Sequence, residues 1–259
     1  MRRALAAAFL ACALAAAPAW AGRTCEDAAL DVATVQQSMD LASRAAARLQ
    51  SSAARVVVIA RAGQNLDEWG VRWSHMALAY RDAGGAWRVV HKLNHCGTPH
   101  AAVYRQGLGD FFLDRMHRYE TAIVALRPDV AEKLLPLLSD DALITQWHVE
   151  RYNMLAYPWS LAYQQSNQWV LETLAGAMLP EGASRAQAQE WLRRERYRPA
   201  TLRLGTLTRL GARITRANVA FDDHPDAKRF SGRIETVTVD SALAWLKESG
   251  IGSDAIVVR

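Results

Sequence analysis

Three side chains in this sequence have the types that nucleophilic catalysis uses: His75 in VRWSHMALAY, His91 in WRVVHKLN and Ser166 in AYQQSNQWVLE. An imidazole titrates near neutrality and can serve as a general base. A serine hydroxyl is almost never ionised at neutral pH, so it becomes a nucleophile only with a base in contact. Ser166 stands where a polar stretch becomes an apolar helical run. Free N–H groups at a helix start, with the helix dipole, favour negative charge developing on an oxyanion. The same place suits a plain helix cap, because serine is a favoured N-cap and a cap needs no histidine.

The elements that would position these groups are a hairpin and a helix. VRWSHMALAY and WRVVHKLN alternate in polarity and are separated by RDAGGA, which is a hairpin signal. Alternation puts Val71, Trp73, His75, Ala77 and Ala79 on one face of the first strand, and Val89, His91 and Leu93 on one face of the second. The turn decides the register. A three-residue loop Asp82-Ala83-Gly84 sets His75 opposite His91, whereas a two-residue loop Gly84-Gly85 sets Asn94 there. Either way a second polar side chain lies beside His75 on an otherwise apolar surface. A buried imidazole needs such a neighbour even in a purely structural hairpin.

Other clusters carry less chemistry. His91, His95, Cys96 and His100 are zinc-type ligands close in sequence, but their spacings match no zinc signature, and neither metal nor cofactor is expected. FDDHPDA, with Asp222, Asp223, His224 and Asp226, reads as a turn. The nearby aromatics Tyr152, Tyr157, Trp159, Tyr163 and Trp169 either line a groove for peptidoglycan, a peptide or an acyl chain, or belong to the core.

The N-terminus reads as an export signal. MRRALAAAFLACALAAAPAWA has a basic start, an apolar run and the small-x-small site Ala19-Trp20-Ala21, so residues 1–21 form the signal and the mature chain starts at Gly22. Leu10-Ala11-Cys12 hints at a lipidated cysteine, but Cys12 lies inside the apolar run rather than at its end. No other apolar run approaches the length of a membrane span. An exported, periplasmic or secreted protein is expected. Losing Arg2 and Arg3 takes the formal net charge of the 259-residue chain from +5 to +3, too mild an excess to imply a nucleic-acid partner. Two cysteines survive cleavage, Cys25 and Cys96, and an oxidising compartment favours a bridge between them over two buried thiols.

Periodicity predicts a helix from residue 26 to about residue 50, a buried strand RVVVIARAG at 55–63, and a helix over Arg127–Leu138 with Pro128 in its first turn. A strand is expected within Leu143–Tyr157, and helices over Asn167–Met178, from Ser184 with Gln187 as a capping box, and over Ser241–Glu248. Short strands and loops fill 201–239. The fold class is α+β, with residues 22–259 forming a single domain.

The order of these parts resembles the circularly permuted papain-like proteins, which include bacterial cell-wall amidase relatives and lecithin:retinol acyltransferase-like enzymes. SHMALAY looks like their histidine strand and YQQSNQW like their nucleophile helix start. That resemblance implies a small antiparallel sheet packed against helices, with His75 as general base, His91 as its orienting partner and Ser166 in the place of the nucleophilic cysteine. A serine there departs from the pattern, since that fold stabilises a thiolate–imidazolium pair. More narrowly, RAGQNL, WSHMAL, HKLNHCGT, QGLGDFF, YPWSLAYQQSNQWVLE and FDDHP are similar to a bacterial family known only as a domain of unknown function. The reading is an exported binding or envelope-associated protein that is not a catalyst. The alternative is a hydrolase or acyltransferase acting on amide or ester bonds through Ser166.

Overall fold

The computed structural model describes residues 29–205 and 218–259. The predicted signal peptide and Cys25 lie outside the described residues. The chain folds as an α+β domain around an antiparallel six-stranded sheet. In chain order the elements are α1 (Val32–Gln50), β1 (Val56–Ala62), β2 (His75–Arg81), β3 (Trp87–Asn94), β4 (Ala101–Gly107), α2 (Leu108–Phe112), β5 (Arg118–Ala125) and α3 (Pro128–Ser139). There follow α4 (Ser166–Ala177), α5 (Arg185–Arg194), β6 (Ala200–Arg203), α6 (Asp226–Phe230), β7 (Arg233–Thr236), α7 (Val239–Glu248) and β8 (Ile256–Val258).

The large sheet runs β4-β3-β2-β1-β5-β8, and β6 pairs with β7 beside it. β1 is an apolar run because both its faces are covered. Val57 and Ile59 meet α1 and α2 through Leu41, Ala45, Leu49, Phe111 and Phe112. Val56, Val58 and Ala60 face the opposite core built by α3, α4, α5 and α7. Alternation along the strand thus serves two cores, and one slip of register would exchange them. α1 obeys the same logic, burying Leu41, Ala42, Ala45 and Leu49 at helical spacing beneath its N-cap Asp31, which accepts from the Thr34 N–H at 2.8 Å.

The β2–β3 turn departs from both expected registers. Arg81 pairs with Trp87 and Leu78 with Val90. The loop is therefore Ala83-Gly84-Gly85, one residue later than expected, with Gly85 taking the left-handed conformation at φ 83°. His75 and His91 consequently sit diagonally rather than face to face. The ladder between the strands ends at Leu78↔Val90, although β2 starts at His75 and β3 runs on to Asn94. The two strands part beyond that point, and the parting creates the site.

Leu143–Tyr157 does not form a strand. It holds a short 3-10 turn at Leu143–Thr145 and irregular chain, with Arg151 making one isolated bridge to His100. Its aromatic and β-branched residues pack instead: Ile144 and Trp147 enter the core. The Trp147 ring lies so close over Gly176 of α4 that a Cβ there would come within 2.2 Å of it. β4, β5 and β8 carried too little alternation or length to be expected from the sequence. α5 does open with the predicted capping box of Ser184 and Gln187.

Candidate functional site

α4 begins where β2 and β3 part. Asn167 places its side-chain Oδ1 at 3.0 Å from the backbone N–H of Met76, supplying an acceptor to the N–H next to His75. The helix is capped by Gln165, not by Ser166 as expected. The Gln165 Oε1 accepts from the Asn167 N–H at 3.3 Å, and its Nε2 donates to Thr236 Oγ1 and to the Val237 carbonyl, both at 2.7 Å. Ser166 is the first helical residue and is buried, with its hydroxyl near the Tyr152 phenol.

Across the parting of the strands, His75 Nε2 and His91 Nδ1 are 2.9 Å apart, and His91 Nε2 is 2.6 Å from Gln106 Oε1 on β4. Gln106 pairs in register with Val89, so it lies diagonal to His91 on the same face. The Phe111 ring covers both imidazoles, with centroids 6.0 Å from His75 and 5.4 Å from His91. Burial, then the neighbouring His91 and Arg61, holds His75 well below the usual imidazole range. Burial lowers His91 to about 4, opposed by the hydrogen bond to Gln106 and reinforced by Arg61. Both rings are neutral at pH 7.

His75 and Ser166 line one cavity of about 620 Å³. No hydrogen bond joins them among the described residues. The imidazoles lie on the face of the sheet covered by α1 and α2, while α4 packs on the other face, and the cavity reaches both around the parted strand ends. Its walls are mainly apolar, including Leu66, Trp69, Trp73, Leu155 and Val219, with Arg61 and Asp114 at one side. Arg61 donates to the Phe111 carbonyl at 2.7 Å and stands 3.5 Å from Asp114.

A second polar cluster lies behind α4. The Glu172 carboxylate is fully buried and takes hydrogen bonds from Gln164, Gln168, Gln189 and Arg185, the last at 2.7 Å. Lys92, next to His91 but on the opposite face of β3, donates to Gln164 Oε1 and to the Val149 carbonyl. Burial and the nearby Arg185 push Lys92 down to about 7, against the pull of Glu172. These contacts fix the chain leading into α4.

The remaining sequence candidates separate. His95 meets Tyr104 and His100 meets Glu150, while both ring nitrogens of His91 are occupied within the relay. Among the described residues no three His, Cys, Asp or Glu side chains are grouped to hold a metal. His224 bonds Asp223 and the Glu235 carbonyl, and Asp223 also accepts from the Tyr157 N–H, so FDDHP ties a loop. Of the five aromatics singled out, Tyr152 alone lines the cavity. Trp169 is core, Trp159 packs on Tyr197, and Tyr163 contacts Arg151 and Asp222. The residues missed were Gln106, Asn167, Trp69 and Trp73. Trp73 was expected on the face of His75 but packs in the opposite core with Met76 and Leu78, and Gln106 depended on a strand that the sequence did not announce.

No curated protein and no solved structure matches the chain. Residues 48–246 match the family described as "Uncharacterized protein conserved in bacteria (DUF2145)", a span that takes in the hairpin, α4 and every polar residue of the cavity, and the chain belongs to that family.

Proposed function

We propose that this is an exported, envelope-associated protein on a permuted papain-like scaffold, whose cavity binds a small ligand with an apolar body. The observation that carries this reading is the cavity itself. It has about 620 Å³ of space, mainly apolar walls, and Ser166 and His75 in its lining with no hydrogen bond between them among the described residues. Sites for small molecules have this make-up, a mostly apolar concavity with a few placed polar groups. An acyl chain or the apolar part of a cell-envelope peptide or peptidoglycan fragment suits those walls. The order of histidine strand, polar strand and helix mouth, with Asn167 joining α4 to β2, supports the scaffold.

A second reading is favoured by the 2.9 Å contact of His75 with His91. It makes the protein a hydrolase or acyltransferase on amide or ester bonds, with Ser166 as nucleophile, His75 as base and His91 orienting it. Attack would require the hydroxyl to turn to His75, which then takes its proton. A serine-directed fluorophosphonate separates the two. Labelling of Ser166 that disappears in His75→Ala establishes the catalytic reading. An unlabelled wild type, with an ordinary thiol pKa in Ser166→Cys, supports the binding one.

Export and the Cys25–Cys96 bridge belong to the same proposal. Protein recovered from the periplasm is expected to begin at Gly22 and to yield a Cys25–Cys96 peptide under non-reducing mass spectrometry. A retained Met1, or two alkylated thiols, would contradict these points.

A further inference from the structure

The relay of His75, His91 and Gln106 has a direction, and Gln106 sets it. An amide oxygen only accepts, so the contact at 2.6 Å requires His91 to carry its proton on Nε2. Neutral His91 then offers a lone pair at Nδ1, and His75 must fill the 2.9 Å contact by donating from its own Nε2. His75 Nδ1 is left as an acceptor. Among the described residues no protein group hydrogen-bonds that atom, and it is not sealed from solvent. His75 borders the cavity. Were the Gln106 amide turned the other way, its N–H would donate, both imidazoles would reverse, and His75 would offer a proton at Nδ1 instead.

We propose that Gln106 is a positioning residue. It fixes both histidines as Nε2–H tautomers, so that the cavity presents the lone pair of His75 Nδ1 and selects a ligand with an O–H or N–H donor at that end. The ligand part of this rests on the cavity being a binding site; the tautomer part does not. An alcohol or an amide meets the requirement, whereas an ether or a quaternary ammonium group does not. If Ser166 proves to be a nucleophile, the same lone pair is the one that would receive its proton.

Long-range proton–nitrogen correlation spectra of protein with nitrogen-15 histidine, at neutral pH, read the tautomers directly. Wild type is expected to show His75 and His91 both protonated at Nε2. Gln106→Glu retains the acceptor and should retain both tautomers, while Gln106→Met removes it and should give mixed tautomers at His91 and His75. A purely structural Gln106 would alter stability without moving these signals. His75 protonated at Nδ1 in wild type, or unchanged tautomers in Gln106→Met, overturns the proposal. The ligand requirement is read by displacement of N-phenylnaphthylamine with decanol and with decyl methyl ether. Decanol should compete several-fold better in wild type and lose that advantage in Gln106→Met. Equal competition in wild type overturns donor selection. Failure of the dye to bind at all would remove the binding site while leaving the tautomer result intact.

Discussion

Two polar clusters flank the start of α4, and they are finished differently. Around Glu172 the carboxylate accepts four hydrogen bonds and is sealed by the core. Around His75 the chain of bonds runs through His91 to Gln106 and stops at an imidazole nitrogen that faces a cavity. Both clusters bury charge-capable groups and both shift titration. The sealed cluster leaves only Gln168 Oε1 unpartnered within the core, whereas the other leaves a valence that faces a cavity. Perturbed groups mark functional sites and structural networks alike; the open lone pair beside empty space distinguishes them.

Removing a partner from the sealed cluster should have the largest effect. Glu172→Ala leaves Arg185 buried without its carboxylate and is expected to cost about 3–5 kcal/mol in urea unfolding. That is a large share of an ordinary domain's stability. Replacing both by leucine should recover much of the loss, because two apolar side chains leave no buried charge. A loss below about 1 kcal/mol for the single change would show that the cluster is wetter than its geometry implies.

The open cluster should instead announce itself in pH dependence. Native His91 titrates at about 4 and an unfolded imidazole at about 6.5. Between those values the unfolded chain binds more protons than the native one, so stability is complete above pH 6.5 and falls as the pH drops towards 4. The loss due to His91 alone reaches up to about 3 kcal/mol. His91→Gln should flatten that part of the stability curve, and an unchanged curve would mean that the ring is not held neutral by burial.

Smaller effects lie on the link between the clusters. Asn167→Ala leaves the Met76 N–H without its acceptor at the parted strands and should cost about 1–3 kcal/mol. Ser166→Ala removes a buried hydroxyl that is not the cap, with an expected cost of at most about 1 kcal/mol, since the cap is Gln165.

Much of this arrangement could be read from residue order. The hairpin, the helix after the serine, the capping box at Ser184 and the closeness of His75 and His91 all follow from local patterns. The parting of β2 and β3 does not, because it depends on a turn shifted by one residue and on an asparagine from a distant helix. The expectation of a strand in Leu143–Tyr157 failed because β-branched and aromatic residues fill a core as readily as they form a sheet. Gln106 was hidden for a related reason: AAVYRQG is short and weakly alternating, and only its pairing with β3 makes it a strand. The cap was misassigned by one residue because a glutamine side chain took the place usually given to serine.

The claim that the parted strands enclose a ligand site is tested most directly by titrating N-phenylnaphthylamine into wild type and Ser166→Phe. The added ring would project from the first turn of α4 into the cavity. Saturable binding at one site in wild type, lost in Ser166→Phe while the circular dichroism spectrum stays native, is the result expected. Equal binding by the two proteins, or none by wild type, would contradict it.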